Sequence, residues 1–194
     1  MNENNQVIGQ ESRPIIHKSG LWHRGVHVFL FTSDRRLLTQ RRSKAQDTFS
    51  GALDCSVSEH LKVGESYLDG AIRGLREELG VEQIHLSRLL QLKMNYGPND
   101  NMINELYEGV YDEPLTINRH EIQQTAYHTI PELEEMIASG QVPFTSWFVQ
   151  LLRWYTGKLA DMQVVWARQD VPLRQQAQGK TKDRHPGERK VASD

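Results

Sequence analysis

The segment GESYLDGAIRGLREELGV, residues 64–81, contains the clearest helical pattern in the chain. It opens with a turn at Gly64 and Glu65, and Gly80 supplies a stop signal for a helix at its end. Four apolar residues at helical spacing predict one apolar stripe along that helix: Leu68, Ile72, Leu75 and Leu79. The segment therefore predicts an amphipathic helix over residues 64–80.

Two carboxylates, Glu77 and Glu78, lie in the last turn of this predicted helix. Negative charge at a helix C-terminus opposes the macrodipole by about 0.3–1 kcal/mol per group. A divalent cation would relieve that conflict, because Mg²⁺ and Mn²⁺ prefer carboxylate oxygen; a solvated acidic face is the alternative. Earlier in the segment, Glu65 and Arg73 carry opposite charges, and we expect them to pair and fix the turn before the helix.

Predicted strands and helices alternate on both sides of this segment. Apolar and β-branched runs predict strands over 25–31, 36–42, 52–58, 87–96, 105–113 and 121–129. Two further helices are predicted over 131–139 and 145–159, the first of which opens at Pro131 and is followed by Gly140. Mixed strands followed by helices indicate an α/β (α+β) domain in which a mixed sheet lies between helices in three layers.

Composition excludes several classes of protein. The 194 residues carry 23 Lys and Arg against 25 Asp and Glu, a formal charge of -2, which excludes a generally cationic nucleic-acid binder. The single cysteine, Cys55, excludes an intramolecular disulfide. No apolar run approaches the ~18 residues of a membrane span, so we expect a cytoplasmic protein with neither a membrane nor a nucleic-acid partner.

The two ends differ in composition from the middle of the chain. Residues 1–12 are rich in Asn, Gln and Glu and are expected to be flexible. Residues 172–194 almost lack large apolar side chains, so we expect a disordered tail. The tail has six Lys or Arg and three Asp or Glu, and a weak polyanion-binding arm is the alternative to a solvated tail. Residues 13–162 are expected to form one domain.

The helical segment resembles the signature of the Nudix superfamily, GX5EX7REUXEEXGU, in which U is a bulky apolar residue. Seven of its nine defined positions match at fixed spacing: Glu65, Arg73, Leu75, Glu77, Glu78, Gly80 and Val81. The resemblance implies a Nudix fold and a divalent-metal-dependent enzyme that acts on a diphosphate. It also implies a structural role for the residues that shape the motif: Gly64, Glu65, Arg73 and Gly80.

Two positions depart from this signature. Glu59 stands where the superfamily has its first glycine, and Gly74 stands where it has the first glutamate of REUXEE, normally a metal ligand in the hydrolases. A carboxylate at position 74 would share a helix face and a cation with Glu78, so the resemblance predicts slow turnover and a gain from Gly74→Glu. A close approach of neighbouring backbone is a compatible explanation, since glycine inside a helix costs about 1 kcal/mol against alanine.

Other segments resemble the branch of the superfamily that contains type 1 isopentenyl-diphosphate isomerase and its hydrolase-like relatives. They are HKSGLWHRGVHVFLF (17–31), SEHLKVGES (58–66), INELYEGVY (103–111) and PFTSWF (143–148). The resemblance implies a metal site with these ligands: His17, His23, His60 and Glu105. Imidazole with carboxylate suits Zn²⁺ or Mn²⁺ better than Mg²⁺. Ser58 takes the place of the isomerases' catalytic cysteine, and a serine hydroxyl is a poor acid, which argues against efficient isomerisation.

The function implied by the resemblance is metal-assisted hydrolysis of a diphosphate linkage in a small nucleoside-diphosphate-like or related substrate. In this hypothesis Glu78 and Glu77 hold Mg²⁺ or Mn²⁺, and Glu105 or Glu121 is the base. Candidate substrate-binding residues, for which a solvated loop or core packing is the alternative, are Arg41, Arg42, Lys44, Tyr96 and Trp147. An isopentenyl-diphosphate isomerase-like enzyme and an inactive diphosphate-binding module stay open, and analogy with the superfamily suggests a homodimer.

Overall fold

A computed structural model describes residues 1–97, 99–158, 160–169 and 171 of the chain. Within these residues the helices are α1 (Arg13–Ser19), α2 (Tyr67–Leu79), α3 (Ile130–Ser139) and α4 (Ser146–Tyr155). The strands are β1 (His23–Phe31), β2 (Leu37–Arg42), β3 (Leu53–Asp54), β4 (Val57–His60), β5 (Ser87–Asn95), β6 (Asn101–Val110), β7 (Ile122–His128) and β8 (Gln163–Ala167). None of these helices is long and apolar enough to cross a membrane. The predicted tail, 172–194, lies outside the described residues.

The strands form one mixed sheet. Its main path is β3-β2-β1-β6-β5-β8, with β4 paired to β1 and β7 paired to β2. Strands β1 and β6 are parallel, and His23 lies opposite Met102. Strand β4 is antiparallel to β1, and its last residue, His60, lies opposite Gly25. The sheet thus brings the start of β1, the end of β4 and the start of β6 to one place.

Apolar side chains cover both faces of this sheet. On one face, Val28 of β1 belongs to a buried cluster with Leu75 of α2. On the other face, Phe29 of β1 belongs to a buried cluster with Leu133 of α3 and Phe148 of α4. Neighbouring residues of a strand point to opposite faces, so β1 packs against helices on both sides. The predicted three-layer arrangement, a mixed sheet between helices, is confirmed.

Helix α2 forms in the predicted segment, but part of its predicted apolar stripe is wrong. Ser66 and Asp69 form a reciprocal capping box, which starts the helix at residue 67 rather than 64. Leu75 and Leu79 are buried, whereas Leu68 is 41% exposed. The buried face includes the two glycines of the helix, where side chains of the β4 region approach closely. This packing turns Leu68 toward solvent.

Residues 52–58 were predicted to form one strand, but the structure has two, β3 and β4. The strand is divided because the chain changes here from pairing with β2 to pairing with β1. Ser56 holds the crossing: its hydroxyl donates to the carbonyl of Leu38 at 2.7 Å and accepts from the N–H of Leu30 at 2.8 Å. Helix α1 and strand β8 are additions to the predicted elements, and β8 extends the sheet past residue 162 by pairing with β5. The flexibility expected for residues 1–12 stays a prediction.

Candidate active site

Two groups of candidate metal ligands open into one pocket. The pocket has a volume of about 730 Å³ and lies between α1, the end of α2 and the strands β1, β2 and β4. Its lining includes His17 and His60 from one group and Glu59, Glu78 and Glu121 from the other. A substrate in this pocket would therefore lie beside both groups.

The first group consists of three histidines from three elements: His17 of α1, His23 of β1 and His60 of β4. Their candidate ligand atoms lie within 4.8 Å of one another. Nδ1 of His23 is 3.2 Å from the carbonyl oxygen of Leu21, and because a carbonyl only accepts, this nitrogen donates. Neutral His23 therefore carries its free lone pair on Nε2.

Burial keeps His23 and His60 neutral. It lowers the pKa of His60 to about 3, with repulsion from His23 as a further cause, and it also lowers the pKa of His23. Nε2 of His17, His23 and His60 is buried without a hydrogen-bond partner among the residues that the structure describes. Such atoms are rare in folded proteins, and neutral imidazole is the form that binds metals. This group fits a divalent transition metal.

Asp100 adds a carboxylate to the histidine group, and the sequence interpretation missed it. Its Oδ1 lies 3.4 Å from Nε2 of His23 and 3.6 Å from Nδ1 of His17. This oxygen is buried and, within the described part of the chain, has no hydrogen-bond partner. Asp100 lies in the turn between β5 and β6, and the pairing of His23 with Met102 brings it beside the histidines. No local spacing in the sequence signals this contact.

Glu105, the carboxylate expected in this place, belongs to neither group. Successive side chains of β6 point to opposite faces, so Glu105 lies on the face opposite to Asn104, which contacts the pocket wall. The carboxylate of Glu105 instead binds Arg88 at 2.9 Å, Gln91 at 2.8 Å and the hydroxyl of Tyr107 at 2.7 Å. The expectation that Glu105 is a metal ligand or base is therefore corrected: its oxygens are taken up by a structural network.

The second group consists of three carboxylates, Glu59 of β4, Glu78 of α2 and Glu121 just before β7. Their candidate ligand oxygens lie within 4.8 Å of one another. Oε2 of Glu78 accepts from Gln40 at 2.9 Å, while Oε1 is buried with no hydrogen-bond partner in the described residues. Glu121 accepts from Asn118 at 3.1 Å. Glu78 and Glu121 were predicted as site residues; Glu59 was not.

The close approach of these carboxylates changes their acidity. Burial raises the pKa of Glu78 well above its usual value, and repulsion from Glu59 adds to the effect. Burial also raises the pKa of Glu59, against the opposing effect of Arg73. Three carboxylates this close favour a shared proton or a cation. An all-carboxylate set fits Mg²⁺ or Mn²⁺, because hard cations prefer oxygen ligands.

Glu77 points away from this group, and its assignment as a metal ligand is corrected. Its side chain is 40% exposed. One oxygen contacts Arg73 at 3.0 Å, and the other contacts Lys62 at 3.4 Å. Adjacent helical residues point in directions about a quarter-turn apart, so the burial of Glu78 against β2 leaves Glu77 on the solvent side.

Arg73 holds the loop that leads into α2. Its guanidinium donates to both oxygens of Glu65, at 2.7 and 3.2 Å, which is the predicted pair, and to the carbonyl oxygen of His60 at 2.8 Å. Gly64 (φ +83°) and Gly80 (φ +70°) take left-handed backbone conformations that favour glycine. The four residues that shape the motif therefore support the site without lining the pocket: Gly64, Glu65, Arg73 and Gly80.

Three of the five predicted substrate-binding residues, Arg42, Tyr96 and Trp147, line the pocket. Arg42 contacts Asp54 at 3.3 Å, and its guanidinium carbon lies 5.6 Å from the ring centre of Trp147. The other two do not line it. Arg41 donates to a loop carbonyl at 2.8 Å, and Lys44 is exposed on the loop after β2.

Ser58 lies in a partly buried polar network at the pocket wall. Its hydroxyl is 3.1 Å from Nδ1 of His27 and 3.1 Å from Nε1 of Trp147, which also donates to Asp54 at 2.7 Å. Burial lowers the pKa of His27 to about 3, so this imidazole is neutral. His27 also lines the pocket. At this point the pocket wall offers a hydroxyl group and a neutral imidazole.

The fold, the capped helix and the carboxylates at its end define a Nudix domain. The sequence profile described as NUDIX domain matches residues 21–148, which include the pocket strands and α2. The chain belongs to the Nudix family.

Within this family the chain is similar to two kinds of protein. It is 32% identical over 158 residues to an isopentenyl-diphosphate Delta-isomerase of Streptomyces avermitilis, covering 78% of this chain and 79% of that protein. It is 28% identical to an uncharacterized Nudix hydrolase of Pseudomonas aeruginosa, covering 80% and 90%. Among solved structures, it resembles DR0079 from Deinococcus radiodurans with a TM-score of 0.66 and 28% identity, covering 79% and 94%. The relatives thus leave the reaction open between hydrolysis and isomerisation.

Proposed function

We propose that the protein is a divalent-metal-dependent hydrolase that cleaves the diphosphate linkage of a small nucleoside-diphosphate-like or related substrate. The observation that carries this proposal is the group of three carboxylates within 4.8 Å at the pocket, where a buried oxygen of Glu78 has no hydrogen-bond partner among the described residues. A cation at this group, Mg²⁺ or Mn²⁺, would screen the charge of the diphosphate and activate a water molecule.

The surrounding residues have separate roles in this proposal. Arg42 and Arg13 line the pocket and supply positive charge for phosphate oxygens. Trp147 and Phe49, whose ring centres are 4.9 Å apart, offer an apolar wall for the rest of the substrate. Glu121 lines the pocket, whereas Glu105 is turned away from it, so Glu121 takes the proton of the attacking water in this proposal.

The test is a time course with purified protein, Mg²⁺, Mn²⁺ or Zn²⁺, and a substrate panel, with products separated by chromatography and identified by mass. The panel holds ADP-ribose, nucleoside triphosphates, dinucleotide polyphosphates and isopentenyl diphosphate. We expect metal-dependent cleavage of a diphosphate that stops when the metal is chelated and falls at least about 100-fold in Glu121→Gln. Binding without any product over long incubation would overturn the proposal in favour of an inactive binding module.

A second candidate is an isopentenyl-diphosphate isomerase-like enzyme, and the group of three histidines favours it. Its metal would be Zn²⁺ or Mn²⁺, held by His17, His23 and His60. Two observations argue against this reaction. Ser58 occupies the position of the isomerases' cysteine, and the carboxylate of Glu105 points away from the pocket. Conversion of isopentenyl diphosphate to an uncleaved isomer of the same mass would establish this reaction; release of phosphate or diphosphate would exclude it.

A further inference from the structure

Gly74 lies in α2 directly against strand β4. A Cβ atom built on Gly74 would come within 2.6 Å of Cγ1 of Val57 and 2.9 Å of Cγ of Glu59. Distances below 3.0 Å are not tolerated between such atoms, so one side must move. The side chain of Glu59 therefore runs through the space into which a side chain at position 74 would extend.

The carboxylate of Glu59 reaches the region that a glutamate at position 74 would serve. Position 74 is one helical turn before Glu78, and side chains four residues apart lie on one helix face. Glu59 belongs to the group with Glu78 and Glu121, although it comes from a strand and not from the helix. Independently of this clustering, Glu78 is only 3% exposed and its buried Oε1 has no partner among the described residues, so this oxygen is available to a cation.

We propose that Glu59 is a metal-ligating residue that replaces the carboxylate missing at Gly74, so that β4 supplies this ligand in place of α2. This inference rests on the proposed metal-dependent function. The proposal explains both departures from the signature together. The glutamate expected at position 74 is found at position 59, and the glycine expected at position 59 is found at position 74. Neither departure then removes a carboxylate from the group.

The surroundings of Glu59 suit this role. Its Oε2 contacts Arg73 at 3.2 Å, so one oxygen is oriented by a buried guanidinium that also anchors the preceding loop. The strand position matters as well, because Glu59 lies between Ser58 and His60 and alternates to the opposite face from both. The side chain is therefore directed toward α2, where it meets Glu78.

The exchange changes the expected result of restoring the helical glutamate. Gly74→Glu alone adds a side chain where Val57 and Glu59 already lie, so we expect loss of stability and no gain in metal affinity. This result is the opposite of the gain that the signature alone predicts.

The first experiment measures Mg²⁺ binding to the full chain by titration calorimetry, with Mg²⁺ alone as the probe. Mg²⁺ is chosen because imidazole ligands suit it poorly, so the histidine group contributes little heat. We expect Glu59→Gln to weaken Mg²⁺ binding by about 10-fold or more in a variant that circular dichroism shows to be folded. Glu82→Gln, which removes an exposed carboxylate just after α2, is the matched control and should bind like the wild type.

The second experiment tests the exchange itself. Because Val57 would obstruct a side chain at position 74, all variants carry Val57→Ala, and their folding is checked by circular dichroism. Adding Glu59→Ala should weaken Mg²⁺ binding, and adding Gly74→Glu to that pair should recover about 10-fold or more. Gly74→Gln in the same background is the uncharged control and should recover nothing.

The outcomes separate this inference from the proposed function. If wild type binds Mg²⁺ and cleaves a diphosphate while Glu59→Gln binds equally well, the inference fails and the function stands. If wild type neither binds Mg²⁺ nor cleaves any diphosphate, both fail. If the exchange variant does not fold, the comparison of Glu59→Gln with Glu82→Gln decides alone.

Discussion

Replacing Arg73 by methionine is expected to lower the free energy of unfolding by about 3–5 kcal/mol. Methionine keeps much of the aliphatic volume but removes the guanidinium. The carboxylates of Glu65 and Glu59 and the carbonyl oxygen of His60 then lose their donor. The side chain of Arg73 is 8% exposed, so little water replaces the lost contacts.

The magnitude follows from the individual contacts. The two bonds to Glu65, at 2.7 and 3.2 Å, and the bond to the His60 carbonyl at 2.8 Å are charge-assisted, and each contributes about 1.5–3 kcal/mol. The contact with Glu77 adds little, because that carboxylate is 40% exposed. Regained hydration of the freed carboxylates offsets part of this sum, which leaves about 3–5 kcal/mol of a total stability of about 5–15 kcal/mol.

The assay is urea unfolding followed by circular dichroism and tryptophan fluorescence. Arg76→Met is the matched control, because Arg76 is exposed on the same helix, and we expect its cost to stay within about 0.5 kcal/mol. Arg73→Lys should be intermediate, since an ammonium cannot reproduce the planar fork. A cost for Arg73→Met below about 1 kcal/mol, or equal to that of Arg76→Met, would refute the assignment of Arg73 as the anchor of the loop.

Three further predictions follow from single contacts. In thermal unfolding, Gly80→Ala should cost about 1–3 kcal/mol more than Gly140→Ala. Both glycines have positive φ, but a Cβ on Gly80 would meet Thr116 at 2.7 Å, whereas one on Gly140 would meet no described residue within 4 Å. Equal costs would contradict this. Asp100→Asn should weaken Zn²⁺ binding about 10–100-fold in competition with a chromogenic chelator, whereas the exposed control Asp161→Asn should not. Burial lowers the pKa of His27 from 6.5 to about 3 in the folded protein. As the pH drops from 7 to 5, His27 therefore binds a proton in the unfolded chain but not in the folded one, and the free energy of unfolding falls by about 2 kcal/mol. Over the same pH interval, the free energy of unfolding of His27→Asn should fall by about 2 kcal/mol less than that of the wild type. If the free energies of unfolding of the two proteins change with pH in parallel, His27 is not buried and neutral.

The parts of the fold that the sequence predicts are those fixed by local patterns. Helix α2 and its end at Gly80 follow from apolar spacing and a glycine stop, and the long strands follow from runs of β-forming residues. The exposed Leu68 shows the limit of this reasoning. Spacing identifies an apolar stripe, but which part of the stripe is buried depends on how closely β4 approaches the glycines of the helix.

Only the candidate site residues that belong to a sequence motif could be predicted. Glu78, His17, His23 and His60 come from the signature and from the resemblance to the isomerases. Asp100 and Glu59 could not be found this way, because their positions beside the two groups depend on which strands pair. The prediction for Glu105 was wrong for a related reason, because a shift of one residue along a strand moves a side chain to the other face of the sheet.

The chemistry of the pocket wall favours hydrolysis over isomerisation. Allylic isomerisation needs a proton donor and an acceptor on opposite faces of the substrate. Beside the histidine group, the wall offers the hydroxyl of Ser58, a neutral His27 and the hydroxyl of Tyr96, whose pKa burial raises well above its usual value. None of these donates a proton readily at neutral pH. The carboxylates beside the end of α2 could hold a cation and accept a proton from water, as the proposed hydrolysis of a diphosphate would use them.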